Sequence, residues 1–259
     1  MSESIIVERD GGIVRVTLNR PEKLNAINAE MADAVRDVFL AAASDDTARV
    51  VVLAAAGRAF CAGQDLADPA VLPGSDLGAM VEAHYNPLIR AIRALRKPVI
   101  AAVNGVAAGA GANLALAADI VIAARSATFI ESFARIGLVP DSGGTWMLPR
   151  LIGYARAVGL TLLAQPMTAP QALEWGAIWN VVDDEALRAE CDKLAVTLSS
   201  APTLGLGEIK RALNVSWTND LDAQLDLERD LQRKLGASND YGEGVEAFRN
   251  KRAPNFGGR

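Results

Sequence analysis

KPVIAAVNGVAAGAGANLALAADI, residues 97 to 120, is the stretch whose reading decides the fold. Extended to residue 124 it is long and apolar enough to suggest a membrane span, but Asn104, Asn113, Asp119 and three glycines interrupt it. A succession of short elements accounts for it better. VIAAV (99 to 103) is a continuous β-type run, NGVAAGAG is turn and loop chemistry, ANLALAA favours helix, and DIVIAA returns to a buried strand. Strand, turn, helix and strand in that order predict an α/β chain with parallel strands.

The same alternation continues upstream. RVVVLAAA (49 to 56) is another buried strand, and IIVERD with IVRVTLN (13 to 19) predicts a hairpin around Asp10-Gly11-Gly12. Helices are expected over 29 to 43 and over 79 to 95, the second ending before Lys97-Pro98. Downstream of residue 150 the pattern predicts helices only, over 154 to 164, 169 to 175, 184 to 199, 203 to 214, 219 to 236 and 241 to 251. The expectation is therefore an α/β core over 1–200 followed by a helical region over 201–259.

Composition narrows the function classes. The chain has 259 residues, 51% of them hydrophobic, which is enough for a substantial core. The net charge of −5 and the dispersal of 26 basic residues leave no electrostatic footprint for nucleic acid. Two cysteines, Cys61 and Cys191, and one histidine, His84, argue against a disulfide framework, a metal centre or a Ser-His-Asp triad. The opening MSESIIVERD has acids where a signal peptide carries basic residues, so a cytoplasmic, membrane-free protein is expected.

Two glycine-rich loops follow buried strands, where α/β proteins bind ligands. They are GRAFCAGQDL (57 to 66) and NGVAAGAGANLA (104 to 115). The second is no dinucleotide fingerprint, because Leu114 stands where the third glycine belongs, and neither loop carries a Walker lysine. The residues alone leave two readings open: tight turns under close packing, or backbone N–H groups freed for an anionic group. One further segment, RIGLVPDSGGTW (135 to 146), isolates a single carboxylate, Asp141, among small and apolar residues. A Pro-Asp-Ser-Gly sequence often makes a capped turn, so that reading competes with catalysis.

Taken together, NRPEKLNAIN (19 to 28), GRAFCAGQDL, the 97 to 120 stretch, GLVPDSGGTW (137 to 146) and EGVEAFRNKRAPNF (243 to 256) resemble the crotonase, or enoyl-CoA hydratase/isomerase, superfamily. The match runs in order over nearly the whole chain. The resemblance implies a crotonase-like spiral of ββα units with a C-terminal helical trimerisation region, a coenzyme A thioester substrate and an oxyanion hole of two backbone N–H groups. Carried over by position, those donors are Gln64 and Ala110. Fixed peptide donors suit an enolate oxygen, and each such donor is worth on the order of 3 kcal/mol. No separate cofactor and no metal are implied, since coenzyme A is part of the substrate.

Hydratases of the family use two glutamates, whose positions fall here on Asn113 and Phe133, neither of which transfers protons. Asp141 fills a third position at which members carry an acid. The implied reaction is then a 1,3-proton shift by a single acid in a pocket otherwise lined by apolar and amide side chains. CAGQDL, YNPL (85 to 88), AARSATFI and LDAQLDLERDLQRKLGASNDY look like the branch of isomerases acting on ring-1,2-epoxyphenylacetyl-CoA, with 3-enoyl-CoA isomerisation as a second expected activity. The alternatives are hydratase, dehalogenase or thioester hydrolase chemistry, or a CoA-binding scaffold.

The family pattern also assigns supporting places. Leu24, Ala62 and Leu66 are expected along the adenine and pantetheine path, with Asp65 and Gly109 at the two loops and Asn113 and Phe133 beside the acyl group. Phe248 and Lys251 are expected to reach the CoA of a neighbouring subunit. His84 and Cys61 are read as packing residues. Leu221, Leu225, Leu227, Leu231 and Leu235 predict an apolar stripe buried against another subunit, in a trimer or dimer of trimers.

Overall fold

The computed structural model of the protein describes residues 4–259. Residues 1–3, counted in the expected core, lie outside the described residues. Strands β1 (Ile5–Asp10) and β2 (Ile13–Leu18) form the expected hairpin. Its turn residues Gly11 and Gly12 have φ of 51° and 87°, which favour glycine and give the twist a two-residue hairpin needs. Helix α1 (Ala29–Ser44) starts at Asn28, whose side chain accepts from the Met31 N–H. Then come β3 (Val50–Ala55) and β4 (Ala59–Cys61). Next, α2 (Leu77–Met80), a π turn (Val81–Tyr85) and α3 (Asn86–Ala94) run on as one helical segment.

The stretch that opened the argument becomes β5 (Val99–Val103), β6 (Val106–Ala108), α4 (Ala110–Leu116) and β7 (Ile120–Ala124). Strand β8 (Thr128–Ile130), α5 (Gly144–Ile152), α6 (Tyr154–Leu163), β9 (Pro166–Thr168), α7 (Ala169–Glu174), β10 (Asn180–Val182) and α8 (Leu187–Ser199) follow. Three helices end the chain: α9 (Thr203–Val215), α10 (Leu221–Leu235) and α11 (Asn239–Arg249).

After the N-terminal hairpin, the strand pairs β3/β4, β5/β6 and β7/β8 each divide between two sheets. One sheet has the order β1-β2-β3-β5-β7-β10, and the other β4-β6-β8-β9. The first is parallel beyond its hairpin. Its middle strands, VVVLAA, VIAAV and IVIAA, are apolar on both faces because α8 covers β3, β5 and β7 on one side while β4 and α4 lie against the other. In the second sheet β4, β6 and β8 are parallel and end at one edge. This is the crotonase-like α/β spiral, and the membrane-span reading of 98 to 124 has no place in it. No helix among the described residues is long and apolar enough to cross a membrane.

The strands of the second sheet correct the sequence reading. The two glycine loops contain β4 and β6, and the region after residue 150 contains β9 and β10 rather than helices only. A three-residue strand is shorter than the run needed for a period-two signal, so nothing local announces it.

The final helices are tied to the body by buried polar contacts. Arg49 donates to Thr203 Oγ1, to Ala201 O and to Phe256 O. Lys210 pairs with Asp119 at 2.8 Å. Glu208, 1% exposed, pairs with Arg96 and Lys234. The expected leucine stripe of α10 is corrected: Leu231 is buried within this chain and Leu227 and Leu235 are half-buried, whereas Leu221 and Leu225 remain exposed. The five leucines span more than one helix face, and α9 of the same chain covers part of it.

Candidate active site

The edge where β4, β6 and β8 end carries three consecutive landmarks. Strand β4 runs into Ala62-Gly63-Gln64, β6 into Gly109-Ala110, and β8 into Glu131. The Gly109 N–H donates to Ile130 O at 2.8 Å, which locks the second loop to the third strand.

Backbone hydrogen bonding leaves both expected donors free. In the first loop, the Ala62 N–H donates to Leu24 O, Gly63 N–H to Cys61 Sγ and Asp65 N–H to Ile27 O, while the Gln64 N–H has no partner among the described residues. In the second, Gly109, Ala112 and Asn113 donate within the fold, and the Ala110 N–H is unpaired at the first turn of α4. The loops approach closely because of their glycines. A methyl group on Gly63, at φ 93°, would stand 2.7 Å from Ala108 O and 3.7 Å from Ala110 N, and one on Gly111 would stand 2.5 Å from Cys61 O. Two fixed donors side by side at a sheet edge can hold an oxyanion without reorganising.

Asp141 lies against the same edge. It precedes Ser142 and Gly143, both at positive φ (52° and 81°), in a bend that opens α5. Its carboxylate does not cap that helix, whose N-cap has no side-chain bond; it accepts only from Ser142 Oγ, at 2.9 Å. The turn-capping reading of the sequence survives only as this bond to the neighbouring Ser142. Ser142 is buried and pays the cost of a left-handed backbone without glycine, a kind of strain that recurs at functional sites. Burial raises the Asp141 carboxyl above the ordinary aspartate range, only partly offset by the Ser142 hydroxyl.

Asn113 ties Asp141 to the helix after the second donor loop, and Tyr85 braces the first. Asn113, fully buried on α4, donates from Nδ2 to the Asp141 carbonyl at 3.0 Å. Tyr85, the last residue of the π turn, donates to Gln64 Oε1 at 2.5 Å, and its phenol is raised by burial and then by the Asp141 charge. The π turn offsets Tyr85 from regular helical register, a distortion common at functional sites. Sequence reading missed Tyr85 and Ser142 as parts of this centre. YNPL was visible as a family motif, but no local pattern distinguishes a π turn from helix.

The expectation of a lone acid is also corrected. Glu131 is 1% exposed, its Oε2 lies 3.5 Å from Asn113 Nδ2, and it senses the Asp141 charge. Burial, with the facing Asp141 adding to it against the Asn113 hydrogen bond, pushes Glu131 up to about 8. The site therefore holds two carboxyls, Glu131 fully buried and Asp141 half-buried. In the sequence Glu131 sits in a strand-like TFIES run, where alternation does not reveal which way it faces.

The other expected residues divide into two groups. Leu24, at φ 52°, meets Ala62 through its carbonyl, and Phe133 is buried 3.7 Å from the place a Gly109 side chain would occupy. Leu66 follows Asp65 and is exposed. Asp65 is spent on its loop: Arg20 Nη2 donates to it at 2.8 Å and the Ala67 N–H at 3.1 Å. Although burial opposes ionisation, the Arg20 and Ala67 hydrogen bonds with the Arg20 charge hold that carboxyl low. Phe248, on α11, and Lys251, after it, are exposed, and the Lys251 side chain has no partner among the described residues.

Residues outside the centre confirm their bland readings. His84 pairs with Asp33, 3.0 Å away, and takes no part in the site. Cys61 is fully buried, and burial pushes its thiol up to about 12, so it packs and does not attack. A cavity of about 580 Å³ lies elsewhere, between α9 and β7, but its acid, Asp119, is committed to Lys210. Among the described residues no cluster of three or more His, Cys, Asp or Glu is arranged to hold a metal ion.

Residues 8–259 match the family model described as enoyl-CoA hydratase/isomerase. The chain is 55% identical to the 1,2-epoxyphenylacetyl-CoA isomerase of Escherichia coli (strain K12), with all of both chains covered. It is 34% identical to the trans-2-decenoyl-acyl-carrier-protein isomerase of Streptococcus mutans, over 99% of each. Its fold superposes on the crystal structure of an enoyl-CoA hydratase from Bacillus anthracis with a TM-score of 0.95 at 30% identity, covering 99% of this chain and 100% of that one. On sequence over its whole length and on fold alike, the chain belongs to the enoyl-CoA hydratase/isomerase family of enzymes.

Proposed function

We propose that the protein isomerises CoA thioesters by moving one proton from C2 to a more distant carbon. The observation that carries this reading is the pair of unpaired Gln64 and Ala110 N–H groups, with Tyr85 bracing the first loop and Asn113 tying α4 to the half-buried Asp141. Asp141 removes the C2 proton, negative charge develops on the thioester oxygen between the two N–H donors, and the same carboxyl returns the proton. A raised carboxyl basicity suits a base that must take a proton from carbon. Ser142 and Tyr85 keep the donors and the acid in register, and Phe133 with Gly109 leaves apolar space for the acyl group.

The substrate is 2-(1,2-epoxy-1,2-dihydrophenyl)acetyl-CoA, by likeness to the 55% identical relative. In its oxepin valence tautomer the side-chain CH₂ adjoins a ring double bond. Loss of a C2 proton and protonation of the ring carbon beyond that bond give 2-oxepin-2(3H)-ylideneacetyl-CoA, with no atom gained or lost. The same electron movement converts a 3-enoyl-CoA to the 2-enoyl isomer. The active species is a trimer or dimer of trimers in which Phe248 and Lys251 approach a neighbour's CoA, and exposed Leu221 and Leu225 meet the partner. Light scattering at micromolar concentration checks it, a monomer being the adverse result.

Glu131 favours a second reading, hydration of a 2-enoyl-CoA, because it supplies a second carboxyl at the site. The decisive assay offers the purified protein the epoxide, a 3-enoyl-CoA and crotonyl-CoA. Isomerisation of the first two, with part of the C2 deuterium retained in product, is expected. Faster water addition to crotonyl-CoA would overturn the proposal.

A further inference from the structure

Asn113 presents an unresolved hydrogen-bond account. Its Nδ2 donates to the Asp141 carbonyl at 3.0 Å and faces Glu131 Oε2 at 3.5 Å, but its Oδ1 is buried with no donor. Exchanging the two amide atoms does not help, because Oδ1 would then face the Asp141 carbonyl oxygen. An orphaned buried acceptor costs about 1–3 kcal/mol, so such groups are rare. The amide has no room to swing away either, because α5 passes so close that a side chain at Gly144 would overlap it.

We propose, resting on the isomerase reading of this site, that Glu131 is a positioning residue which stands as a neutral carboxylic acid closing a reciprocal pair with Asn113. Its O–H donates to Asn113 Oδ1, and its other oxygen accepts from Nδ2. The terminal carboxyl torsion is broad, so both oxygens can be presented to the amide. Asn113 is then fully satisfied: Oδ1 accepts from Glu131, and Nδ2 gives one hydrogen to Glu131 and one to Asp141 O. The pair clamps the Asp141 bend to the end of β8, one residue beyond the Gly109 to Ile130 bond that sets the Ala110 loop.

The electrostatic surroundings agree. The loop before α5 presents Asp141, α4 presents the uncharged Asn113, and the Arg135 guanidinium on Glu131's own segment donates to Ala164 O instead. A fully buried carboxyl within electrostatic reach of a second, half-buried one is disfavoured from ionising alongside it. Asp141 carries the charge and works as the base, while Glu131 keeps its proton and cannot activate water. The second acid thereby serves the isomerase and does not restore a hydratase.

The proposal is tested on the full-length protein with Glu131→Gln and Glu131→Leu. Glutamine reproduces the donor and acceptor of the neutral acid, and leucine reproduces neither. Glu131→Leu should lower kcat about 10- to 100-fold by loosening the Asp141 bend, and Glu131→Gln should recover kcat to within about threefold of the natural enzyme. A carboxyl raised by folding costs stability above its unfolded pKa, near 4.3, and the cost grows as pH climbs to about 8. The melting temperature of Glu131→Gln should therefore gain on that of the natural protein between pH 4 and pH 8. Equal damage from both substitutions would make Glu131 a proton carrier, and a constant melting gap would make it ionised; either result overturns the proposal. Neither melting result depends on the substrate, so failure of the isomerase reading shows separately, as near-natural turnover by Asp141→Asn.

Discussion

In the six-stranded sheet, β3, β5 and β7 run five or six residues and are covered on both faces. In the four-stranded sheet every strand has three residues, and its edge leaves the Gln64 and Ala110 N–H groups unpaired near the buried Glu131 and half-buried Asp141 carboxyls. One sheet spends its polar groups on its own ladder and its side chains on packing. The other leaves both incomplete at one end. The difference teaches that stability and chemistry are assigned to separate sheets, joined by the short turns between β3 and β4, β5 and β6, and β7 and β8.

That division is open to direct attack. Asp141→Asn should lower kcat by about 10²–10⁴, the worth of a positioned general base, with kcat/KM falling in parallel. Its melting temperature should hold or rise, because a half-buried acid whose ionisation the fold disfavours has been replaced by a neutral group of the same shape. A large loss of melting temperature would show that the edge also carries the fold.

Gly63→Ala attacks the approach of the two loops. The new methyl would press on Ala108 O and would require a left-handed alanine, so the donors should separate. We expect kcat to fall about 10²- to 10³-fold, comparable to deleting one oxyanion donor. Steady-state kinetics with a 3-enoyl-CoA would show it, and unchanged turnover would remove the loop approach from the account.

Leu53→Ala makes the converse test in the six-stranded sheet. Leu53 is fully buried in β3, and its truncation should cost about 2–5 kcal/mol in urea unfolding. Turnover per folded molecule should stay near that of the natural enzyme. A loss of kcat beyond tenfold would mean that the sheets are mechanically coupled and the division is too sharp.

The smallest expected effect is in the pH profile. A base works when ionised, so with the Asp141 carboxyl raised, kcat/KM should decline with falling pH through a midpoint above about 3.9, the usual aspartate value. A midpoint at or below that value would show Asp141 to be solvated or ion-paired in the working enzyme.

Much of the six-stranded sheet was legible because continuous apolar runs such as VVVL and VIAAV need only be read along the chain. The hairpin was legible in Asp-Gly-Gly for the same local reason. The three-residue strands carried no period of their own, so β4 and β6 read as loops, and β9 and β10 vanished among the helices. Of the candidate site, Asp141 stood out in the sequence as an isolated acid, whereas Gln64, Ala110 and Asn113 were assigned only by position in the family resemblance, the glycine-rich loops alone leaving their role open. Glu131 was legible only as the nearest other acid in sequence on the same wall, without its burial or its contact with Asn113, and Tyr85 was not recognised at all, since nothing local says that a helix contains a π turn.

The sequence by itself determined the α/β alternation, the glycines that let two loops meet, and the separation of one acid from every nearby base. Only the tertiary structure decided how many acids the centre holds. Burial, and so the protonation of Glu131 and Asp141, depends on which distant segments close over them: α4 with Asn113, α5 with Gly144, and the edge of β8. Those contacts join residues far apart along the chain, and a carboxyl's proton affinity is set by the solvent and charges around it, which no local pattern of residues contains.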